Sequence, residues 1–327
     1  FQHIKHDAEV KMSQLSLLSI AQYRKTLRCE RFLHQMDQVV PWKKLCEIIK
    51  PYHQQPPTGR KPIAIERKLR IICLQQWYNL SDPGVEDAIY DRNSFQKFLS
   101  IDILTESVPD ETTICNFRNL LQRHGLFEKI LSTINEHLEQ KGLLMKEGTA
   151  VDATLISAPS STKNQSGKRD PEMSSTQKNG KWHFGMKAHV GVDPKSGLVH
   201  SLSTTTAKIH DTHQFADLLH GEEKAILGDK GYFSASRKKD LRDQGIFCGI
   251  LDKGSRNTSL SVSQKKRNRK LSRARAIVEH PFQVIKCQWN YRKTRYRGLA
   301  KNTGQLHLLF GLYNLFRVRK KLLLSPI

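Results

Sequence analysis

Apolar residues recur at helical spacing through the first part of the chain and at strand spacing through much of the rest. Leu33, Met36, Val39, Val40, Leu45, Ile48 and Ile49 predict one or two helices behind an N-terminal arm, within residues 1–53. Three prolines and Gly59 between Gln54 and Pro62 interrupt that rhythm and predict a linker over 54–62, because proline lacks the backbone donor that a helix needs. Helical spacing resumes with Ile65, Leu69, Ile72, Leu74 and Trp77 over Ile63–Tyr78, and Ser81, Asp82, Pro83 and Gly84 then punctuate the chain. Asp110 is placed to cap a helix that turns Ile114, Phe117 and Leu121 inward and ends near Gly125. Leu126–Leu138 reads as a further amphipathic helix, and residues 63–145 are expected to form an all-α region.

At Gly148 the period changes. Ala150–Ile156 is a short apolar strand interrupted by Asp152. Trp182–Val192 alternates, with Trp182, Phe184, Met186, Ala188 and Val190 on one face and His183, Gly185, Lys187 and His189 on the other. The turn Asp193, Pro194, Lys195, Ser196, Gly197 leads into a strand over Leu198–Thr206, which makes a hairpin. A helix over His213–Leu219 follows, then a strand over Lys224–Leu227 that ends at Gly228 and Asp229. A helix near Ser234–Gln244, a strand near Gly245–Leu251 and a helix over Leu271–Trp289 complete the series. Three strands, helix, strand, helix, strand, helix is the order of an RNase H-like α/β fold with a mixed sheet, expected over 146–320. Two polar insertions, 158–181 and 253–270, have too few apolar residues to offset their ordering entropy. Disorder in the free chain is expected for both, with ordering on a nucleic-acid backbone as the alternative.

On the Leu271–Trp289 helix, Leu271, Ala274, Ile277, Val278, Val284, Ile285 and Trp289 form an apolar face, and Arg275, Glu279 and Lys286 line the opposite side. Pro281 is expected to weaken or kink it just past Glu279. From Lys253 to Ile327, Glu279 is the only acid. Two readings stand: Glu279 pairs with Arg275 one turn earlier, worth a few tenths of a kcal/mol, or it is a metal ligand on a surface built for phosphates. Asp152 sits in an apolar strand, where a lone carboxylate is costly unless paired or metal-bound. Asp229 ends a strand between Gly228 and Lys230, a place that also suits a cap or turn residue. The fold order brings these three carboxylates, from three elements, to one edge of the sheet. Hard oxygen ligands of this kind select Mg²⁺ or Mn²⁺ over zinc.

Charge narrows the partner. Among 327 residues, 54 Lys and Arg oppose 31 acids, for a net charge of +23 and a pI near 9.9. Such a balance favours a polyanion, and nucleic acid leads. The outer residues Asn116, Arg118, Asn119 and Arg123 of the helix after Asp110 suit contact with DNA, although a solvated face would carry the same residues. No apolar run is long enough to span a membrane, and Leu306–Phe316 fits a buried core helix, so a soluble cytoplasmic protein is expected. Six scattered cysteines without a Cys-x-x-Cys pair signal neither zinc nor a disulfide framework. His183 and His189, or His210 and His213, lack the partners of a zinc site and are expected to face solvent or DNA. No signal peptide is visible, and because the chain opens on Phe1 an initiator Met or a short leader is expected before it.

The blocks Leu74–Asp82, Pro109–Phe117, Lys146–Met173, His183–His189, Gly228–Tyr232 and Arg273–Lys286 together resemble the DDE transposases of bacterial insertion sequences, most closely the insertion-sequence-five group. The resemblance covers nearly the whole chain. It implies that Asp152, Asp229 and Glu279 are catalytic carboxylates holding two Mg²⁺ ions, with Mn²⁺ as a substitute. It also implies that Arg275 and Lys286 contact phosphates near the cut, and that 63–145 binds DNA. Tyr232, Lys187, Lys265, Lys266, Arg267 and Arg269 are further residues expected on DNA. Ser272 stands where the wider signature has Tyr, which removes one DNA contact and leaves the metal site intact. The activity implied is metal-dependent nicking of an element's terminal inverted repeats, followed by attack of the freed 3′-hydroxyl on target DNA. Double-stranded DNA is the partner, a homodimer or larger synaptic complex the assembly, and the bacterial nucleoid the location. The alternatives are a non-catalytic DNA-binding descendant and a structure-specific nuclease on the same fold.

Overall fold

The computed structural model describes residues 25–53, 63–164, 167–178, 180–254 and 258–324. The arm before residue 25 and the linker over 54–62 lie outside the described residues. Helices α1 (Arg28–Val39), α2 (Trp42–Ile49), α3 (Ile65–Tyr78), α4 (Asp82–Asp91), α5 (Asn93–Leu99), α6 (Glu111–Arg123) and α7 (Leu126–Gln140) build the first half. Their starts obey local chemistry. Ser81 caps α4 by accepting from the Gly84 N–H at 3.1 Å, and Asp110 caps α6 by accepting from the Thr113 N–H at 2.6 Å.

Strands β1 (Gly148–Ser157), β2 (Ser174–Lys178), β3 (Lys181–Val192), β4 (Val199–Thr206), β5 (Ala225–Gly228) and β6 (Phe247–Ile250) form one mixed sheet among the described residues. β1, β3 and β4 are antiparallel, whereas β1–β5 and β5–β6 are parallel, in the order β4–β3–β1–β5–β6. This is the expected RNase H-like arrangement with one addition. β2, inside the insertion expected to be disordered, pairs with the start of β3. Its Ser, Thr, Gln and Lys side chains carry no hydrophobic period; backbone pairing builds it, and the Ser174 hydroxyl adds bonds from the Thr206 hydroxyl and the Lys208 N–H. The same insertion supplies Asp170 and Glu172, which accept from the Gly298 and Leu299 N–H groups at 2.7 and 2.6 Å. They satisfy orphan donors at the start of the helix that begins there.

Three further expectations are corrected. Residues from Val262 onward, in the second insertion, are helical: α9 (Val262–Arg275), which follows α8 (Ala235–Asp243), opens with a capping box in which Ser261 and Gln264 satisfy each other's backbone N–H. In place of a helix over His213–Leu219 there are two short 3₁₀ turns, Asp211–Gln214 and Ala216–Leu218. His189 is fully buried, with Nε2 at 2.8 Å from Thr205 Oγ1, and burial lowers its pKa to about 4. It faces neither solvent nor DNA: its Nδ1 lies 4.0 Å from Asp211 in the first of these 3₁₀ turns, and the second packs on this strand.

After α9, a short helix α10 (Glu279–Gln283) leads towards α11 (Leu299–Leu324), most of whose residues between Asn302 and Val318 are buried, with Thr303, His307 and Phe316 partly covered and Arg317 exposed. It packs on α7, α1 and β4. The buried Asn314 on it is fully used: it accepts from the Val199 N–H at 2.8 Å and donates to the Val199 carbonyl and Asn135 Oδ1, each at 2.7 Å, whereas Gln305 Oε1 is buried without a partner. One hydrophobic core therefore runs from Leu33 in α1 through the sheet to Val318.

Candidate active site

β1 and β5 pair with Val151 opposite Gly228, so Asp152 and Asp229 each follow a paired position on neighbouring parallel strands. Such strands lie about 4.8 Å apart. Asp229 is exposed and begins the 3₁₀ turn Lys230–Tyr232 without capping it. Asp152 is half-buried, and its two oxygens are already engaged: Oδ1 accepts from the Ala153 N–H and Oδ2 from Arg275, both at 2.8 Å. Burial raises the Asp152 pKa above the usual carboxylate range, Arg275 and the Ala153 N–H oppose the rise, and the charge of Asp229 adds to it.

The same guanidinium reaches Glu279, with Nη2 at 3.4 Å from Oε1. Glu279 is 62% exposed, whereas Arg275 is largely covered and its Nε is buried without a protein partner. Arg275 thus ties the acid of β1 to the acid of α10. The expected pairing of Glu279 with Arg275 is present, and it is one arm of a bridge.

Backbone irregularity around Pro281 sets this geometry. Proline has no N–H to offer the Ile277 carbonyl, and the chain tightens into a 3₁₀ turn over Ala276–Val278. It then widens into a π turn over Val284–Gln288, closed by the Trp289 N–H on the Val284 carbonyl at 3.0 Å. A helix over Leu271–Trp289, kinked past Glu279 by Pro281, was expected to face Arg275 and Lys286 outward; both turn inward to β1 instead. The Lys286 ammonium donates to Thr154 Oγ1 and the Leu155 carbonyl, each at 2.6 Å, and burial, with the nearby charge of Lys178, lowers its pKa to about 8. Of the expected apolar face, Leu271, Val278, Val284, Ile285 and Trp289 are buried, while Ala274 is exposed.

The other predicted DNA residues divide. Lys265, Lys266 and Arg269 are exposed on α9, with Lys270 and Arg273 beside them. Arg267 is turned inward, donating to Asp252 at 2.9 Å and to the Cys248 carbonyl at 2.5 Å. Lys187 donates to the Ile209 carbonyl at 2.7 Å and to Asp211 at 2.8 Å. Tyr232 is buried with its hydroxyl unpartnered, and its pKa is raised by burial first and then by the charges of Asp211, Asp152 and Asp229. Among the described residues, no three His, Cys, Asp or Glu side chains stand close enough together to hold a metal ion.

Sequence reasoning did not single out Thr154, which anchors Lys286. The signal was present, since Thr154 lies two positions from Asp152 and a strand repeats its facing every second residue. Residues 144–315 match the family described as "Transposase DDE domain", and residues 21–120 match the one described as "Transposase domain (DUF772)". Among the described residues no helix is long and apolar enough to cross a membrane.

Proposed function

Because the chain belongs to the transposases that carry a DDE domain, we propose that Asp152, Asp229 and Glu279 are its catalytic acids and that it cuts and joins DNA at the terminal inverted repeats of a mobile element. The observation that carries this reading is the Arg275 bridge. It draws acids of two distant elements to one cation, at the end of the sheet where Asp229 also emerges. An all-oxygen donor set already shared by a positive group suits a hard divalent cation, and Asp152, Asp229 and Glu279 would hold Mg²⁺ or Mn²⁺, two per site. When bound, such ions activate the attacking water or hydroxyl and neutralise charge on the phosphoryl group.

The chain's own residues do the rest. Lys286 fixes the π turn to β1 and so holds Glu279 at the level of Asp152. Arg275 keeps the two carboxylates together, and its guanidinium, held beside the acids, is of the kind that pairs with phosphates bidentately. Lys265, Lys266 and Arg269 present an exposed cationic face to the backbone of double-stranded DNA. Both ends of an element must be handled together, which calls for a dimer or larger synaptic assembly. Residues 63–145 form the DNA-binding region of this reading, and 146–320 the catalytic one.

Glu279→Gln tests it: metal-dependent nicking of an element end should disappear while the fold and DNA binding remain, and nicking at the parental rate would refute it. The absence, among the described residues, of three acids converged on one point favours a second reading, a DNA-binding protein without catalysis. That reading demands that the parental chain leave element ends uncut. A nuclease on the same fold would cut and yield no strand-transfer product.

A further inference from the structure

The pairing of β3 changes along its length. Gly185 to Val192 lies between β1 on one side and β4 on the other; the Phe184 carbonyl still accepts from the Ala158 N–H at 2.8 Å, and Lys181 to His183 pairs with β2 alone. Gly185 marks the junction, opposite both Ser157 of β1 and Ser174 of β2, and a Cβ there would sit 2.0 Å from the Ile156 carbonyl oxygen. Beyond it the two strands leave the sheet as a bare two-stranded ribbon. The ribbon projects past the end of β1 that follows Asp152, Thr154 and Leu155, on the side of the candidate acids.

Its composition is unusual for an isolated ribbon. Trp182 is 72% exposed, although Met186, Ala188 and Val190 on the same face of β3 are buried. The other three tryptophans, Trp42, Trp77 and Trp289, are between 4% and 8% exposed. Lys178 and Lys181 are exposed and lie directly opposite each other, a like-charge pair that weakens a hairpin unless an anion sits on it. Arg169 is also exposed and stacks over Phe184, the next residue on the Trp182 face, at 5.5 Å from the ring centroid. No acid occurs between Met173 and Val192. The charge of Lys178 is felt at Lys286, where it adds to burial in lowering the ammonium's pKa.

We infer that this ribbon is a nucleobase-stacking finger: Trp182 receives the face of an unpaired or end-exposed base while Lys178, Lys181 and Arg169 hold the adjoining phosphates. A flat indole with cations around it matches single-stranded nucleic acid, whose bases offer a π-face that an intact duplex interior does not. Trp182 lies eight residues along β3 from Val190, the partner of Asp152, roughly 26 Å at strand spacing, so the finger would hold a strand several nucleotides away from the acids. This rests on the transposase reading, and the test separates the two.

Trp182 emission is the probe, because the other three indoles are buried. The full chain is titrated with a short duplex bearing an unpaired 3′ overhang, and binding is followed in parallel by anisotropy of a label on the far end of the DNA. Trp182 emission should be quenched as the complex forms. Trp182→Ala should abolish the quench and weaken overhang binding about tenfold, the scale of one base stacked on an aromatic ring. The slope of log affinity against log salt should stay unchanged, since no charge is removed. Trp182→Phe should recover most of the affinity, and melting should be unaltered because the side chain is exposed. Parental overhang affinity in Trp182→Ala, or binding without quench in the parent, overturns the inference and leaves the transposase reading standing. No binding to any DNA at low salt would overturn both.

Discussion

Strand β5 is only four residues long and has an acid beyond each end, and the two acids have opposite fates. Glu223, before the strand, is 6% exposed and fully furnished: it accepts from the His220 and Gly221 N–H groups at 2.7 and 2.9 Å and from the Thr149 hydroxyl at 2.9 Å. Burial alone would raise its pKa, but these donors and His220 bring it below the usual range. Asp229, after the strand, is exposed and caps nothing, and its neighbour Asp152 is met by one N–H and a movable guanidinium. Peptide N–H groups that fill a carboxylate make it part of the fold. A carboxylate held only by a side chain can exchange that partner for another, and the exposed cations of α9 gather at this second end.

The largest expected effect would break the comparison outright. Asp152→Asn, Asp229→Asn and Glu279→Gln should each reduce DNA cleavage by on the order of 10² to 10³ or more, the scale of losing a group that acts on transition-state charge. Circular dichroism and gel shifts should show fold and DNA binding retained. Parental cleavage in any of the three would move that residue to the structural class of Glu223.

Glu223→Ala should do the reverse, costing about 1–3 kcal/mol of stability by stranding buried donors and leaving cleavage per folded molecule unchanged. The pH dependence follows from the depressed folded pKa. The stabilisation is complete above the ordinary glutamate value of 4.5 and is lost as pH falls below it through the folded value. Denaturant titrations at pH 7 and at acid pH should therefore show the parent and Glu223→Ala converging as the pH falls. A constant gap would place the effect in packing.

Removing the cations of the open end should act on affinity. Replacing Lys265, Lys266, Arg269 and Lys270 with Ala should weaken binding to any duplex, with the salt slope falling by up to about one counterion per lost phosphate contact. An unchanged slope would leave α9 a solvated helix. The smallest effect concerns stability at the same end: Glu279→Gln should lower it by only about 0.3–0.5 kcal/mol, because the pair with Arg275 is largely exposed on the acid's side. A loss of several kcal/mol would assign Glu279 a structural part after all.

Much of this was readable before any coordinates. The alternation of β3, the interrupted apolar strand at Asp152 and the Gly228–Asp229 strand end carry their signals in side chains, so the strand order followed from them. β2 was hidden because its stability comes from backbone pairing with β3. The start of α9 was hidden inside a charge run, where Ser261 and Gln264 satisfy a helix terminus without apolar periodicity. Pro281 announced a distortion, but a helical projection assumes one constant turn. The 3₁₀ and π turns around that proline rotate Arg275 and Lys286 inward, which no fixed period reproduces. Alternation placed Trp182 on the face of Phe184, Met186, Ala188 and Val190, but it tells which side a residue faces and not how far its neighbours extend.

The continuous core has a consequence for synthesis. α11 follows every other described element in the chain, yet it supplies the buried surface that both α1 and α7 and the sheet pack against. While the chain emerges from a ribosome, the earlier elements can close the smaller cluster of Val151, Phe215, Leu218, Ile226, Tyr232, Leu241 and Ile250, but the main core has no finished interior to close upon. The acids of β1 and β5 would then be in place on an unstable platform until α11 is made, so assembly of the site becomes a late, cooperative event. Pulse-labelling with timed proteolysis of stalled chains would show resistance appearing in one step when that helix clears the exit tunnel.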